Sequence, residues 1–417
     1  MSDRKNTEYG QVPKDWDLKI IAKLKSTDKG AIAMGPFGSN IKAENFVSSG
    51  VPVIRGSNLN FEKYIGGEFV FLTEEKADEL KGSNCKAGDL VFTHRGTIGQ
   101  VGLIPEGIYK RYVVSQSGMK LTLDPLLINN EFLFYFFKSK YGQFQLLKTE
   151  SQVGVPSISN PLTSLKAIEV PVPKIIEQNA ITEVLSSLDD KIDLLHRQNK
   201  TLEQLAETLF RQWFMEETDE SWEEKSLYDV IDLVGGGTPK TENGKYWDGN
   251  IKWISAKDIT PNHKGFIVYT EKKISELGLQ NSSTRILEKF STVISARGTV
   301  GKYSILSEPM AFSQSNYGIK PKFKNCFFFT YLLVAYYVEE LKAAAYGSVF
   351  DTITTNTFKE HKIKIPSEKE ILDFENSITT YFNKMLSNQN QIQTLITLRD
   401  TLLPKLMSGE VRLLNKI

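Results

Sequence analysis

The 417-residue chain repeats itself with a period near 200 residues, and this duplication constrains what it can fold into more than any other feature. VPVIRGSNL from Val51 is answered by IKWISAKDI from Ile251, and DLVFTHRGTIGQVGLI from Asp89 by STVISARGTVGKYSIL from Ser291. SQSGMKL from Ser115 returns as SQSNYGIK from Ser313, and IEVPVP from Ile168 as IKIPSE from Ile363. The offset falls from 202 (Arg95 to Arg297) through 198 (Ser115 to Ser313) to 195 (Ile168 to Ile363). The order of the elements never changes, so two copies that differ by short loop insertions and deletions account for the chain.

Each copy ends in a segment of different character. Ile181, Leu185, Leu188, Ile192, Leu195, Asn199, Leu202, Ala206, Leu209 and Trp213 alternate in steps of four and three, a heptad seam that is apolar except at Asn199. Shifted by 193 residues, the seam reads Phe374, Ile378, Tyr381, Met385, Asn388, Ile392, Leu395, Arg399, Leu402 and Leu406, and Arg399 breaks it. Ser367 with Glu370 makes a capping box at the second start, whereas Lys174 with Glu177 lacks the cap side chain at the first. Pro404 is expected to end the second helix near Leu403, and Gly409 to terminate its last turn. At 1.5 Å per residue the rods over 174–215 and 367–403 would be roughly 63 and 55 Å long, too long for burial in one domain.

Connectivity then sets the expected geometry. The first rod carries the chain from domain one to domain two, so a second rod pairing along it must run back, and the coil is antiparallel. Its interface is expected at Leu188, Ile192, Leu195, Asn199, Leu202, Leu209, Trp213, Ile378, Met385, Asn388, Ile392, Leu395 and Leu402. The expected shape is a dumbbell with a pseudo-two-fold axis: domain 1 over residues 1–173, spacer helix 174–217, domain 2 over 218–366, and second helix with tail 367–417. Short β-branched and aromatic runs such as VPVI, DLVFTH, KWIS and STVIS read as strands. FLFYFFKSKYGQFQLL and FFFTYLLVAYYVEELKAAA read as mostly buried helices, so the fold class is α+β.

Lys+Arg 51 against Asp+Glu 50 gives a net charge of +1, which excludes binding to nucleic acid through global charge and leaves only a local face. By segment, residues 1–173 hold 21 basic and 18 acidic residues, 174–217 hold 5 and 9, 218–366 hold 19 and 17, and 367–417 hold 6 and 6. Residues 238–325 hold 14 basic and 7 acidic residues, while the matching stretch 35–123 holds 10 and 9. Domain 2 thus has electrostatic grounds for a nucleic-acid face; a solvated lysine-rich surface explains the same excess equally well.

Cys85 and Cys326 are isolated and no Cys/His cluster has metal-ligand spacing, so reduced cytoplasm is the natural compartment. No apolar run reaches the ~18 residues a membrane helix needs. Catalytic patterns are missing too. GGGTPKTENGK from Gly235 has Pro239 and Tyr246 where a phosphate loop needs glycine and a hydroxyl residue, and it reads as a turn, like the Gly-Pro-Phe-Gly run at Gly35. Neither a Rossmann glycine fingerprint, a G-x-S-x-G elbow, an H-E-x-x-H pair nor the Asp/Asn-Pro-Pro-aromatic motif of amino-methyltransferases is present.

What remains is a pair of repeated polar segments. Arg95-Gly96-Thr97-Ile98-Gly99 and Arg297-Gly298-Thr299-Val300-Gly301 follow strand-like runs, and their glycines permit a turn that brings guanidinium and backbone to a phosphate or a guanine edge. If the two domains read different sequences, residues shared by both copies are scaffold or phosphate contacts, and differing ones discriminate. Arg95, Thr97, Arg297 and Thr299 then belong with scaffold or phosphate, as do Ser115, Gln116, Ser313 and Gln314. Base readers are sought among divergent positions: Arg55, Ser57 and Asn58 against Ser255, Lys257 and Asp258, His94 against Ala296, and Gly118 against Asn316.

The whole chain resembles the specificity subunit of type I restriction-modification systems. The resemblance rests on Arg-Gly-Thr-x-Gly in each domain, Leu-Phe-Arg-Gln-Trp-Phe over 209–214, Leu-Leu-Pro-Lys-Leu-Met-Ser-Gly-Glu-Val over 402–411, and their order in a duplicated chain. It implies a non-catalytic, cytoplasmic subunit that selects a two-part asymmetric target on double-stranded DNA, each domain reading one half-site. Its helices would dock two methyltransferase subunits, to which two restriction subunits would join. S-adenosylmethionine, ATP and Mg2+ would be bound by those partners and no cofactor or metal by this chain. Readers related by a pseudo-two-fold axis would suit half-sites about one ~34 Å helical turn apart. Two other classes remain open at the level of residues: a coiled-coil interaction scaffold without DNA specificity, and a self-sufficient DNA-modifying enzyme, which the missing motifs disfavour.

Overall fold

The protein is described by a computed structural model covering residues 4–8, 10–59, 63–216, 219–346 and 352–413. The expected boundary at 217–218 and the last four residues, 414–417, lie outside the described residues. The chain folds as two compact units, one of Met1–Asp193 with Leu395–Ile417 and the other of Leu194–Thr394. Each unit therefore contains a globular α+β domain together with a part of both long helices.

In the first unit the core strands are β1 (Ile32–Met34), β2 (Val51–Ile54), β3 (Leu90–Thr93), β4 (Tyr112–Val114) and β5 (Gly118–Leu121). One four-stranded sheet runs Val70–Leu72, β2, β4, Asn84–Cys85, and the other runs β1, β5, β3, Val101–Leu103. β2 and β4 are parallel, with Ile54 beside Val114, and β3 and β5 antiparallel, with Thr93 beside Gly118. Asp17–Ile20 pairs with Glu169–Val172, so the domain's opening segment is stitched to the strand that precedes the long helix.

The run read as one helix from Phe132 divides at Ser139 into α1 (Asn130–Lys138) and α2 (Lys140–Leu147). Asn129 caps α1 by accepting from the Glu131 and Phe132 amides, and the Ser139 hydroxyl accepts from Gly142 N at 3.1 Å. Gly142 lets the two helices touch, since a Cβ there would lie 2.0 Å from the Phe136 carbonyl oxygen. All six residues from Phe132 to Phe137 are at most 1% exposed, each contributing ~1.5–3 kcal/mol of apolar burial.

α3 (Ile175–Arg211) is the first long helix, followed by one π-helical turn over Gln212–Glu216. In the second unit the duplicated strands are β6 (Ile231–Gly235), β7 (Trp247–Ile254), β8 (Thr292–Ser295), β9 (Met310–Phe312) and β10 (Asn316–Pro321). Their registers reproduce the first copy: Ile254 lies beside Phe312 in a parallel pair, and Ser295 beside Asn316 in an antiparallel one. Glu223–Ser226 pairs with Lys362–Ile365 as the closing stitch. α4 (Phe327–Tyr346) is the buried helix of this domain, and α5 (Glu368–Met407) the second long helix.

Within each unit the portions of α3 and α5 pack antiparallel. In the first, Asp189 meets Arg399 while Glu177, roughly 18 Å earlier on the helix by its 1.5 Å rise, meets Arg412 from the tail. In the second, Asn199 meets Asn388 and Phe210 meets Phe374. Ile181, Leu185, Leu403, Leu406 and Met407 join the first domain's core; Ala206, Phe210, Phe374, Ile378, Phe382 and Met385 join the second's. Of the expected seam, Ile192, Leu195, Ile378, Met385, Asn388 and Ile392 are buried, and Leu188, Asn199, Leu202, Leu209, Trp213, Leu395 and Leu402 are half-buried. The seam asparagines find each other, Asn388 Nδ2 donating to Asn199 Oδ1 at 2.9 Å and Asn199 Nδ2 to the Met385 carbonyl at 3.3 Å. Such a pair holds a coil in register at some expense of stability.

Two expectations about helix ends divide. Ser367 and Glu370 form the capping box at the start of α5, with Ser367 N donating to Glu370 Oε2 at 2.9 Å. Pro404, in contrast, does not stop α5 at Leu403; the helix continues to Met407. Asp400 and Pro404 are exposed, so water can take up the carbonyl that the missing proline N–H leaves, while buried Leu403, Leu406 and Met407 hold the last turn to the core. Gly409, at φ +65, ends it. Glu177, without a capping role, is instead a buried acceptor for Trp16 Nε1 at 3.1 Å and Arg412 Nη2 at 2.9 Å.

Candidate nucleic-acid interface

The strand registers gather the repeated polar segments at one end of the inner strands in each domain. Because β2 and β4 are parallel and level, the segments that follow them leave side by side, and Ser115 N donates to the Ile54 carbonyl at 2.9 Å. The Arg-Gly-Thr turn leaves β3 at the same place, His94 N donating to the Ser117 carbonyl at 2.9 Å. The second domain repeats both bonds, from Ser313 N to Ile254 O at 2.8 Å and from Ala296 N to Ser315 O at 2.9 Å.

The shared glycines are required by the backbone. Gly96 and Gly99 have φ +83 and +84, and Gly298 and Gly301 have φ +78 and +81, so both copies make the same left-handed turns. Thr93 Oγ1 accepts from Gln100 N at 3.1 Å, and Ser295 Oγ donates to the Arg297 carbonyl at 3.1 Å, closing each turn from beneath. The Arg95 and Arg297 side chains are thereby held out in solvent, and among the described residues neither guanidinium has a polar partner.

The Gly-Pro-Phe-Gly run joins this rim. Gly35 N donates to Gly118 O at 2.9 Å, and a Cβ on Gly35 would lie 1.8 Å from the Ser115 carbonyl oxygen; on Gly236 it would lie 2.2 Å from that of Ser313. A segment that sequence reasoning missed closes the other side: Gly96 N donates to Pro156 O at 2.8 Å and Ile158 N to His94 O at 2.9 Å. Its counterpart is the bond from Ile353 N to Ala296 O, and the separation of 195 from Ile158 to Ile353 continues the late-domain offset, a signal present in the sequence.

The divergent positions separate into two groups. Arg55, Ser57 and Lys257 are exposed, as are Thr97, Thr299, Gln116 and Gln314 among the shared ones; Ser115 and Ser255 are half-buried. Asn58, His94, Asp258, Ser313 and Asn316, in contrast, are at most 6% exposed. Asn58 Oδ1 accepts from Arg55 N at 2.9 Å and its amide donates to the Gly66 and Glu68 carbonyls. Asp258 Oδ2 takes Ser255 N at 2.8 Å and its hydroxyl at 2.7 Å, while Oδ1 takes Glu271 N at 2.8 Å. Asn316 Nδ2 donates to Ser313 Oγ at 2.9 Å. The His94 ring donates to the Gln116 carbonyl at 3.1 Å, and burial holds its pKa below the usual histidine range, so it is a neutral tether. Asn58, His94, Asp258 and Asn316, expected as base readers, thus lie buried and bonded within the turns that carry Arg55, Gln116, Lys257 and Gln314, and Asn316 Oδ1 has no partner among the described residues.

The two domains are thus built on one frame, each presenting an exposed arginine and glutamine among residues that differ between copies. Residues 37–204 and 219–397 each match the family model described as type I restriction modification DNA specificity domain. The chain belongs to that family. Among its relatives, the type I restriction enzyme MjaIX specificity subunit of Methanocaldococcus jannaschii is 26% identical over 98% of this chain and 96% of its own. The HindI specificity subunit of Haemophilus influenzae is 24% identical over 85% of this chain and 94% of its own. A crystal structure of the type I restriction-modification S subunit from M. genitalium superposes with a TM-score of 0.58 at 18% identity, covering 94% of this chain and 96% of that one. That structure shares the fold of this specificity-family chain, including its mixture of sheet domains and long helices. No helix among its described residues is long and apolar enough to cross a membrane, and no group of three His, Cys, Asp or Glu side chains among them could hold a metal.

Proposed function

We propose that this chain is the DNA-specificity subunit of a type I restriction-modification complex, in which residues 1–173 and 218–366 each read one half of a bipartite, asymmetric target. The observation that carries the reading is the rim built twice on one backbone frame. Arg95 and Arg297 stand exposed on matching glycine turns, while the positions of Arg55 and Ser57 in one copy are held by Ser255 and Lys257 in the other. Cations on a shared scaffold suit phosphates, and the differing side chains beside them suit different bases.

The chain is non-catalytic on this reading. It docks two methyltransferase subunits through the long helices, and those subunits bring S-adenosylmethionine; two restriction subunits add ATP- and Mg2+-dependent cleavage. Exchange of residues 1–173 for the matching domain of another member should change one half of the methylated motif and leave the other intact, as read by methylome sequencing. A change in both halves, or in neither, would falsify the assignment of one domain to one half-site. Gel shifts with the methyltransferase partner should show sequence-specific binding; no specific shift in its presence would favour an interaction scaffold.

A further inference from the structure

Phe37 lies on the rim and is 82% exposed. Its position is not that of a loosely hanging surface residue. Gly35 is bonded to Gly118, and a Cβ on Gly38 would lie 2.2 Å from Gln116 Oε1, so the residues on both sides of Phe37 abut the 115–118 turn. Phe37 O accepts from Asn40 N at 2.8 Å, which closes the loop behind it. Among the described residues its ring belongs to no apolar cluster and pairs with no other ring or cation. Val153, 89% exposed, and Val155, 52% exposed, stand on the segment that Gly96 holds on the other side of Arg95.

A phenyl ring held in water on a braced loop, with Arg95 and Gln116 on neighbouring turns, needs an apolar partner inside an otherwise anionic one. The stacked bases of a duplex, apolar in their faces and in the thymine methyl and bordered by phosphates, supply both. The second domain lacks the ring. Aligning Gly236 with Gly35 through their shared approach to Ser313 and Ser115 puts Thr238 opposite Phe37, and Thr238 is only half-exposed.

We infer that Phe37 is a base-contacting specificity residue of the first domain, giving that domain an apolar contact with its half-site that the second domain does not make. The inference rests on the DNA-reading function proposed above. The test uses the full chain assembled with its methyltransferase subunits and duplexes carrying the methylated motif, with either half-site scrambled in turn. Phe37→Ala should weaken binding to cognate DNA roughly tenfold or more and lower discrimination at one half-site only, with Phe37→Leu intermediate and Thr238→Ala within about threefold of wild type. Thermal melting and assembly should be unchanged, because the side chain is exposed. Wild-type affinity and discrimination in Phe37→Ala would overturn the inference, as would a loss confined to assembly with the methyltransferase. Absence of sequence-specific binding by the wild-type complex would instead sink the DNA-reading function and the inference with it.

Discussion

Arg399 donates to Asp189 at 2.9 Å, and Asp189 also accepts from the buried Tyr135 hydroxyl at 2.6 Å. The one charged residue in the second heptad seam thus has a purpose. It neutralises a buried carboxylate where the two long helices meet α1 of the first domain. Nearby, Lys63 pairs with Glu131 at 2.8 Å and donates to Ser186 at 3.0 Å, extending the polar seat. The second domain is seated differently, with Phe382 of α5 stacked on Phe328 at 4.3 Å and edge-on to Tyr331.

Removing one partner from the first seat should be severe. Arg399→Ala leaves Asp189 charged and buried, and a loss of about 3–5 kcal/mol is expected in chemical unfolding of the first unit. Replacing both by leucine should recover much of that loss, because two charges no longer need hydration. A loss in the double variant equal to the sum of the two single losses would show that the pair is not coupled.

Gly35 and Gly236 can be tested without touching a polar group. Either glycine changed to alanine drives a methyl group into the carbonyl of Ser115 or Ser313, so the rim must shift. The expected cost is about 1–3 kcal/mol in stability, with affinity for DNA lost at one half-site. Gly244→Ala, where a Cβ meets nothing within 4 Å, is the matched control.

Arg95→Ala and Arg297→Ala should each reduce the slope of log affinity against log salt by about 1 if the guanidinium sits on a phosphate. Titrations of the assembled complex by fluorescence anisotropy at several salt concentrations would measure it. An unchanged slope together with relaxed base preference at one position would instead assign the arginine to a base edge.

Glu203 on α3 has its pKa pushed up to about 7, first by burial and then by Glu207, against the opposing pull of Lys264. A folded value above the ordinary 4.5 means the native state holds this proton more tightly than the unfolded chain. Its contribution to stability is therefore complete below about pH 4.5 and is lost as pH rises toward about 7. Glu203→Gln should flatten that decline in unfolding curves taken across the window, and an unaltered pH profile would refute the shift.

Features that depend on periodicity and local chemistry were legible in the residues alone. The 202 and 198 offsets carry the register in which Thr93 pairs with Gly118 onto that in which Ser295 pairs with Asn316. The four-three seam located both long helices, and Ser367 with Glu370 marked a true start. Which polar residues face outward emerged from the folded loops and not from the pattern. Asn58 and Asp258 differ between copies as readers should, yet each closes a turn, and only the folded loop shows that its donors and acceptors are spent inward. Phe37 is the converse, an apolar residue that pattern alone would bury and that Gly35 and Gly38 hold out beside Gln116. Pro404 belongs with it, since a helix breaker is tolerated where buried leucines on the same turn outweigh one lost hydrogen bond. Such outcomes depend on contacts between residues distant in sequence, which local spacing does not encode.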